Sequence, residues 1–123
     1  KVQGKSLEAA QELLDSARAV EEAGAFMVVL EGIPKMLADV ITQKINIPTM
    51  GIGAGAGCDM QVLVAQDMLG MNEWVPKFAK KFADLHKIII DAYNEFAKES
   101  NERTFPDEAT QYNAKIEGIE NLK

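Results

Sequence analysis

The chain has 123 residues, 47% hydrophobic and 26% charged, with a formal net charge of −6. That is one ordinary globular domain by length and composition, and the acidic balance argues against nucleic acid as a partner, since phosphate contacts need clustered Lys and Arg. No window approaches the roughly 18 apolar residues of a membrane span, no signal pattern opens the chain, and the lone Cys58 has no internal partner for a disulfide, which suits a reducing cytoplasm.

Ser6 stands where a helix cap belongs, and Leu7, Ala10, Leu13, Leu14, Ala17 and Val20 recur as a helical stripe, so a helix is expected to about residue 23. Glu8 falls in its first turn, where negative charge suits the helix dipole, and Gly24 serves as its stop. Residues 25–30 form an unbroken apolar run with two valines, as in a parallel strand buried on both faces. Pro34 opens a second helix over about 34–44, with Leu37, Val40 and Ile41 inward. Residues 49–52 read as a second strand, followed by a glycine loop. Residues 61–65 fit a third strand ahead of a short helical turn near 67–69, or a helix throughout, because so short an apolar run does not settle the period. Beyond Pro76, the residues Phe78, Phe82, Leu85, Ile89, Ala92 and Phe96 are spaced 4, 3, 4, 3, 4. This seven-residue repeat predicts one long helix over about 77–100 with an apolar seam. Residues 104–123 are polar and weakly patterned, so the chain divides into an α/β region over 1–103 and a surface tail.

Helix, strand, helix, strand, possible strand, helix is the order of a parallel sheet with helices on its faces. Ligands bind such sheets at the carboxyl ends of the strands. In the segment FMVVLEGIP, at residues 26–34, a glutamate follows five apolar residues. Glu31 therefore stands where a strand ends and loops begin, able to reach solvent or substrate while the strand behind it stays dry. A carboxylate there is placed to act as a base. Position alone favours the other role for such a carboxylate, capping the next helix or pairing with a lysine.

The glycines of GIGAGAG, residues 51–57, let backbone approach a ligand and offer N–H groups to an anion; close packing and tight turning explain them as well. Gly51, Gly53 and Ala56 satisfy a loose dinucleotide fingerprint, but no helix and second strand follow, nor an acidic strand end about twenty residues on. His86 falls outside the apolar repeat and reads as solvated or partner-facing. Cys58 has no basic neighbour in sequence and reads as inert. Asp59 and Asp67 are ligands or caps, with caps favoured, and Trp74 with Pro76 reads as packing ahead of the long helix. No spacing suggests a metal cluster or a Ser/His/Asp arrangement.

Five segments carry a family resemblance: KVQGK at 1–5, VVLEGIP at 28–34, IPTMGIGAG at 47–55, CDMQVLV at 58–64 and PKFAKKFADL at 76–85. In this order they resemble the ketopantoate hydroxymethyltransferase family, and FPDEATQY at 105–112 is similar to its closing segment. The resemblance covers about residues 1–112, and several motifs in register are more specific than any one of them. Met60 stands where the family commonly has Gly, Gln66 where it has His, and the tail after Tyr112 is expected to lie beyond the resemblance.

The resemblance implies a (βα)8 TIM barrel of the phosphoenolpyruvate mutase and isocitrate lyase type. It implies hydroxymethyl transfer from 5,10-methylenetetrahydrofolate to 3-methyl-2-oxobutanoate, giving 2-dehydropantoate for pantothenate biosynthesis. A divalent cation, usually Mg²⁺, holds the oxo acid in that family, and the glutamate of its LE-x-x-P motif, here Glu31, accepts the proton. The family's metal carboxylates, and the lysine and serine that contact the oxo acid, belong to earlier strands whose motifs are absent here. A barrel needs about 250 residues, and the chain begins with Lys1 rather than Met. The expectation is therefore the C-terminal half of the enzyme, inactive alone, with magnesium ligands outside the chain. Its expected partners are the missing N-terminal half and further copies, since the family forms decamers. Another oxo-acid lyase of the same superfamily and a non-enzymatic oligomerising fragment are the alternatives.

Overall fold

The computed structural model describes residues 2–123, which form two compact units, one running to Ala83 and one from Asp84 onward. In the first unit, helix α1 spans Leu7–Glu22, and the Ser6 side chain accepts a hydrogen bond from the Ala9 N–H as its cap. Gly24, at φ +88°, ends it as expected. Strand β1 is Val28–Glu31, helix α2 is Lys35–Lys44 and strand β2 is Thr49–Ile52. Strand β3 is only Met60–Gln61, and a single helical turn, α3, follows at Ala65–Met68.

The three strands form one parallel sheet in the order β1-β2-β3. Glu31 pairs with Ile52, and Gly51 pairs with Gln61, so the register brings the ends of all three strands to one edge. The core lies between this sheet and the two helices. It joins Leu14 and Ala17 of α1, Leu30 of β1, and Leu37, Ala38 and Ile41 of α2 with Ile33, Ile45, Ala54 and Cys58 from the connections. The Asn46 N–H donates to Glu21 Oε1 at 2.7 Å, tying the end of α1 to the loop that enters β2.

Several elements depart from the sequence expectations. The first strand starts later than residue 25 and takes in Glu31. It is buried on one face only: Leu30 is inward, whereas Val29 is 53% exposed. On α2 the inward set is Leu37, Ala38 and Ile41, and Val40 is exposed. Of the two readings of residues 61–65, the strand ahead of a helical turn holds in outline, with a strand that is shorter and earlier, and the helix throughout does not. The Val62 N–H still bonds to Gly51 O at 3.0 Å, and Val64 O then accepts from Asp67 N and Met68 N to start α3.

The largest correction concerns the long helix. Phe78, Phe82 and Leu85 precede it, because residues 77–85 form turns and the helix begins only at His86. Tertiary contacts override the repeat there. Phe78 packs against Gly53, and the Phe82 N–H is taken by Met68 O at 2.8 Å. Trp74, expected to pack, is 74% exposed.

In the second unit, α4 spans His86–Glu102 and ends on Arg103 in the left-handed region at φ 56°. Ile88, Tyr93 and Phe96 are exposed on it, and Phe96 meets Phe105 edge-on at 5.6 Å. The tail that follows is exposed and locally ordered. Asp107 Oδ1 accepts from the Ala109 and Thr110 N–H groups and from the Thr110 hydroxyl. The Thr110 hydroxyl, then the backbone donors, hold the Asp107 carboxyl below its ordinary range. No helix among the described residues is long and apolar enough to cross a membrane.

Candidate functional site

Glu31 is the last residue of β1 and is exposed at the carboxyl edge of the sheet. Its position is held from both sides by backbone. The Gly32 N–H donates to Ile52 O at 2.9 Å, and Gly32 O accepts from the Gln3 N–H at 3.0 Å. The amino-terminal strip thus lies beside the strand end. Val2, Gln3, Glu31, Gly32 and Phe78 line a concavity of about 410 Å³. A neighbouring one of about 660 Å³ shares Gly32 and Phe78 and adds Gly53, Gly55, Gln61 and Lys77.

The glycine loop beneath these concavities is built against α2. Gly55 has φ +82°, and a Cβ there would come within 2.8 Å of Lys35 Cβ, so both conformation and space require glycine. A Cβ at Gly57 would overlap the Asp39 carboxylate, whose Oδ2 accepts from Lys35 Nζ at 2.7 Å. The Gln61 Nε2 donates to Gly55 O at 3.0 Å, so the third strand holds the loop from its other side.

At the opposite end of the sheet, Asp59 is a structural clip. Its Oδ2 accepts from Thr49 N at 2.8 Å and from Thr49 Oγ1 at 3.2 Å, while its own N–H donates back to Thr49 Oγ1. The Thr42 hydroxyl lies 2.9 Å from that of Thr49, which is 0% exposed. The network ties α2, β2 and the start of β3 together. Asp59→Ala leaves the buried Thr49 N–H without its acceptor and is expected to cost about 1–3 kcal/mol, read as a lower thermal midpoint. Asp59→Asn keeps an acceptor oxygen and should cost less. A midpoint unmoved by Asp59→Ala would show that the clip contributes nothing.

Within the first unit, Asp67 and Cys58 do not join the site. Asp67 Oδ1 accepts from Asn72 Nδ2 at 3.4 Å beside α3, and Cys58 is buried in the core as a free thiol. His86 is the first residue of α4, in the second unit. A further concavity of about 620 Å³ lies between α1 and α2, but Leu7, Leu14, Leu37 and Val40 make it apolar and it bears no carboxylate. Sequence reasoning missed Gln61, Lys77 and Phe78. Gln61 lay in the CDMQVLV segment, and Lys77 and Phe78 lay in the PKF segment, which local periodicity assigned to a helix.

A bound Mg²⁺ demands a near-octahedral set of oxygen ligands. Glu31 is the one carboxylate lining the two concavities, and no group of three or more His, Cys, Asp or Glu among the described residues could hold a metal ion. The described residues do not by themselves make a magnesium site.

A parallel sheet carrying a carboxylate and a glycine loop at its carboxyl edge defines the class: an α/β protein of the kind that places ligands at its strand ends. Within that class the chain belongs to the ketopantoate hydroxymethyltransferase family, whose sequence model matches residues 1–108. It is 56% identical over 107 residues to the 3-methyl-2-oxobutanoate hydroxymethyltransferase of Clostridium novyi (strain NT), covering 86% of this chain and 39% of that protein. The enzyme of the same name from Enterococcus faecalis is 55% identical over 107 residues, again 86% of this chain and 39% of the relative. That of Clostridioides difficile (strain 630) is 45% identical over 123 residues, 99% of this chain and 45% of the relative. This last match takes in the tail after Tyr112, which therefore does not lie beyond the resemblance as expected. The chain spans less than half the length of these relatives.

Proposed function

We propose that this chain is the C-terminal part of a (βα)8 barrel that transfers a hydroxymethyl group from 5,10-methylenetetrahydrofolate to 3-methyl-2-oxobutanoate, giving 2-dehydropantoate. One observation carries this reading. In a chain matched to the hydroxymethyltransferase family over residues 1–108, the glutamate after Leu30 stands exposed at the carboxyl end of a parallel strand, beside a concavity. The open sheet supports the barrel, since a three-stranded parallel sheet leaves edges that further strands would pair.

In the proposed reaction Glu31, as carboxylate, takes the proton from the oxo-acid carbon that gains the new bond. The glycine loop lets substrate approach the backbone, and the shallow cleft is closed by the earlier strands. The family's magnesium would be bound by carboxylates of those strands, and no step here is assigned to it. Assembly of the barrel into a homo-oligomer, the family's decamer, would cover the exposed Ile88, Tyr93 and Phe96 of α4. The unpaired Cys58 thiol supports a cytoplasmic setting.

Complementation tests the reading. The chain alone is expected to give no 2-dehydropantoate, whereas mixing it with a polypeptide that carries the earlier strands should restore product formation from 3-methyl-2-oxobutanoate and methylenetetrahydrofolate. Restored turnover of a different oxo acid, with this one ignored, would reassign the chain to another lyase of the superfamily.

A further inference from the structure

Lys77 is an exposed cation at the rim of the larger concavity, next to an aromatic ring and above a floor of glycines. Its neighbours in sequence are otherwise engaged. Lys80 Nζ lies 5.3 Å from the Phe82 ring centroid, and Lys81 Nζ donates to Glu73 O at 2.9 Å. Lys35, beside the same loop, is paired with Asp39. Among the described residues Lys77 makes no ion pair, so its ammonium is available to a ligand. Phe78 packs over Gly53, where a Cβ would stand 3.0 Å from the ring, while 45% of the residue stays open to the concavities. The same ring lines the concavity that contains Glu31. The two adjoining spaces therefore share an aromatic wall, with the carboxylate in one and the cation in the other.

Building on the hydroxymethyltransferase reading, we propose that Lys77 and Phe78 form a subsite for a substrate carboxylate attached to a planar group. The ammonium of Lys77 pairs with the carboxylate, and the Phe78 ring packs on the planar part. Both cosubstrates carry this chemistry. The oxo acid has a carboxylate on its keto carbon, and the folate has a glutamate joined to an aminobenzoyl ring. Lys77 is a binding residue and acts equally on ground and transition states.

Steady-state kinetics of the enzyme completed with its earlier strands test this with Lys77→Ala and Lys77→Arg. Lys77→Ala is expected to raise the KM of one cosubstrate about tenfold, as loss of a charge-assisted contact would, with kcat within about twofold. Lys77→Arg, which keeps the cation, should recover most of the loss. A change confined to the folate assigns the subsite to its glutamate, and one confined to the oxo acid assigns it to the keto-acid carboxylate. Unchanged KM values for both, or a fall in kcat alone, would overturn the proposal. Calorimetry with p-aminobenzoylglutamate and with 3-methyl-2-oxobutanoate separates this from failure of the functional reading. If the completed enzyme does not turn over these substrates, the hydroxymethyltransferase reading falls. The subsite then stands only if one of these probes binds and Lys77→Ala weakens it, and is overturned otherwise.

Discussion

Glu31→Gln is expected to lower kcat for 2-dehydropantoate formation by about 10²–10⁴-fold, the range supplied by a positioned general base. The amide keeps the size and polarity of the carboxylate and removes only its ability to take up a proton. The fold should be untouched. Glu31 is exposed, and the strand is held there by backbone bonds from Gly32 N–H to Ile52 O and from Gln3 N–H to Gly32 O. Substrate binding should change little, so the loss falls on kcat rather than KM. The measurement is the steady-state rate of the enzyme completed with its earlier strands, with circular dichroism as the control for folding. Wild-type turnover in Glu31→Gln would remove Glu31 from the role of base and leave it a strand-end carboxylate.

Ile41→Ala is expected to destabilise the first unit by about 2–5 kcal/mol, the cost of deleting a buried branched side chain and leaving a cavity. Ile41 is 1% exposed and belongs to the cluster that joins Leu14 and Ala17 of α1 to Leu30 of β1. A small domain has only about 5–15 kcal/mol in all, so a thermal midpoint lower by roughly 10 °C or more should follow. Leu30 immediately precedes Glu31, so looser packing under that strand should also weaken the site above it. Met36, on the same helix but 81% exposed, provides the control. Met36→Ala should stay within about 0.5 kcal/mol of the parent. Equal midpoints for Ile41→Ala and the parent would mean that the core does not lie where α1, α2 and β1 meet.

The two substitutions probe different links of one chain of cause. Apolar side chains at helical spacing put α1 and α2 on the sheet. The parallel register then brings Glu31, the glycine loop and Gln61 to one edge. Asp59 and Thr49 secure the other edge, and Gln61 holds Gly55 by its carbonyl. The site is shaped by backbone at its floor and by side chains of separate elements at its walls.

The sequence by itself determined the parts whose physics is local. Ser6, Gly24 and the stripe of leucines and alanines specify α1, because a cap, a stop and a helical period all act within a few turns. Residues 49–52 were legible as a short stretch between Pro48 and the glycine loop, and the place of Glu31 follows from the unbroken apolar run at 25–30. Family membership was also legible, since several motifs stand in register. The tertiary structure decided what depends on distant partners. The apolar repeat from Phe78 to Phe96 is a valid helical pattern, yet its first half is unwound, because Phe78 finds Gly53 and Phe82 finds Met68. Which face of α2 is inward, how short β3 is, and that Asp59 serves Thr49 are likewise set by neighbours remote in sequence. Lys77 comes to line the concavity next to that of Glu31 for the same reason: periodicity records only neighbours along the chain, while a cleft is made by segments that the fold brings together.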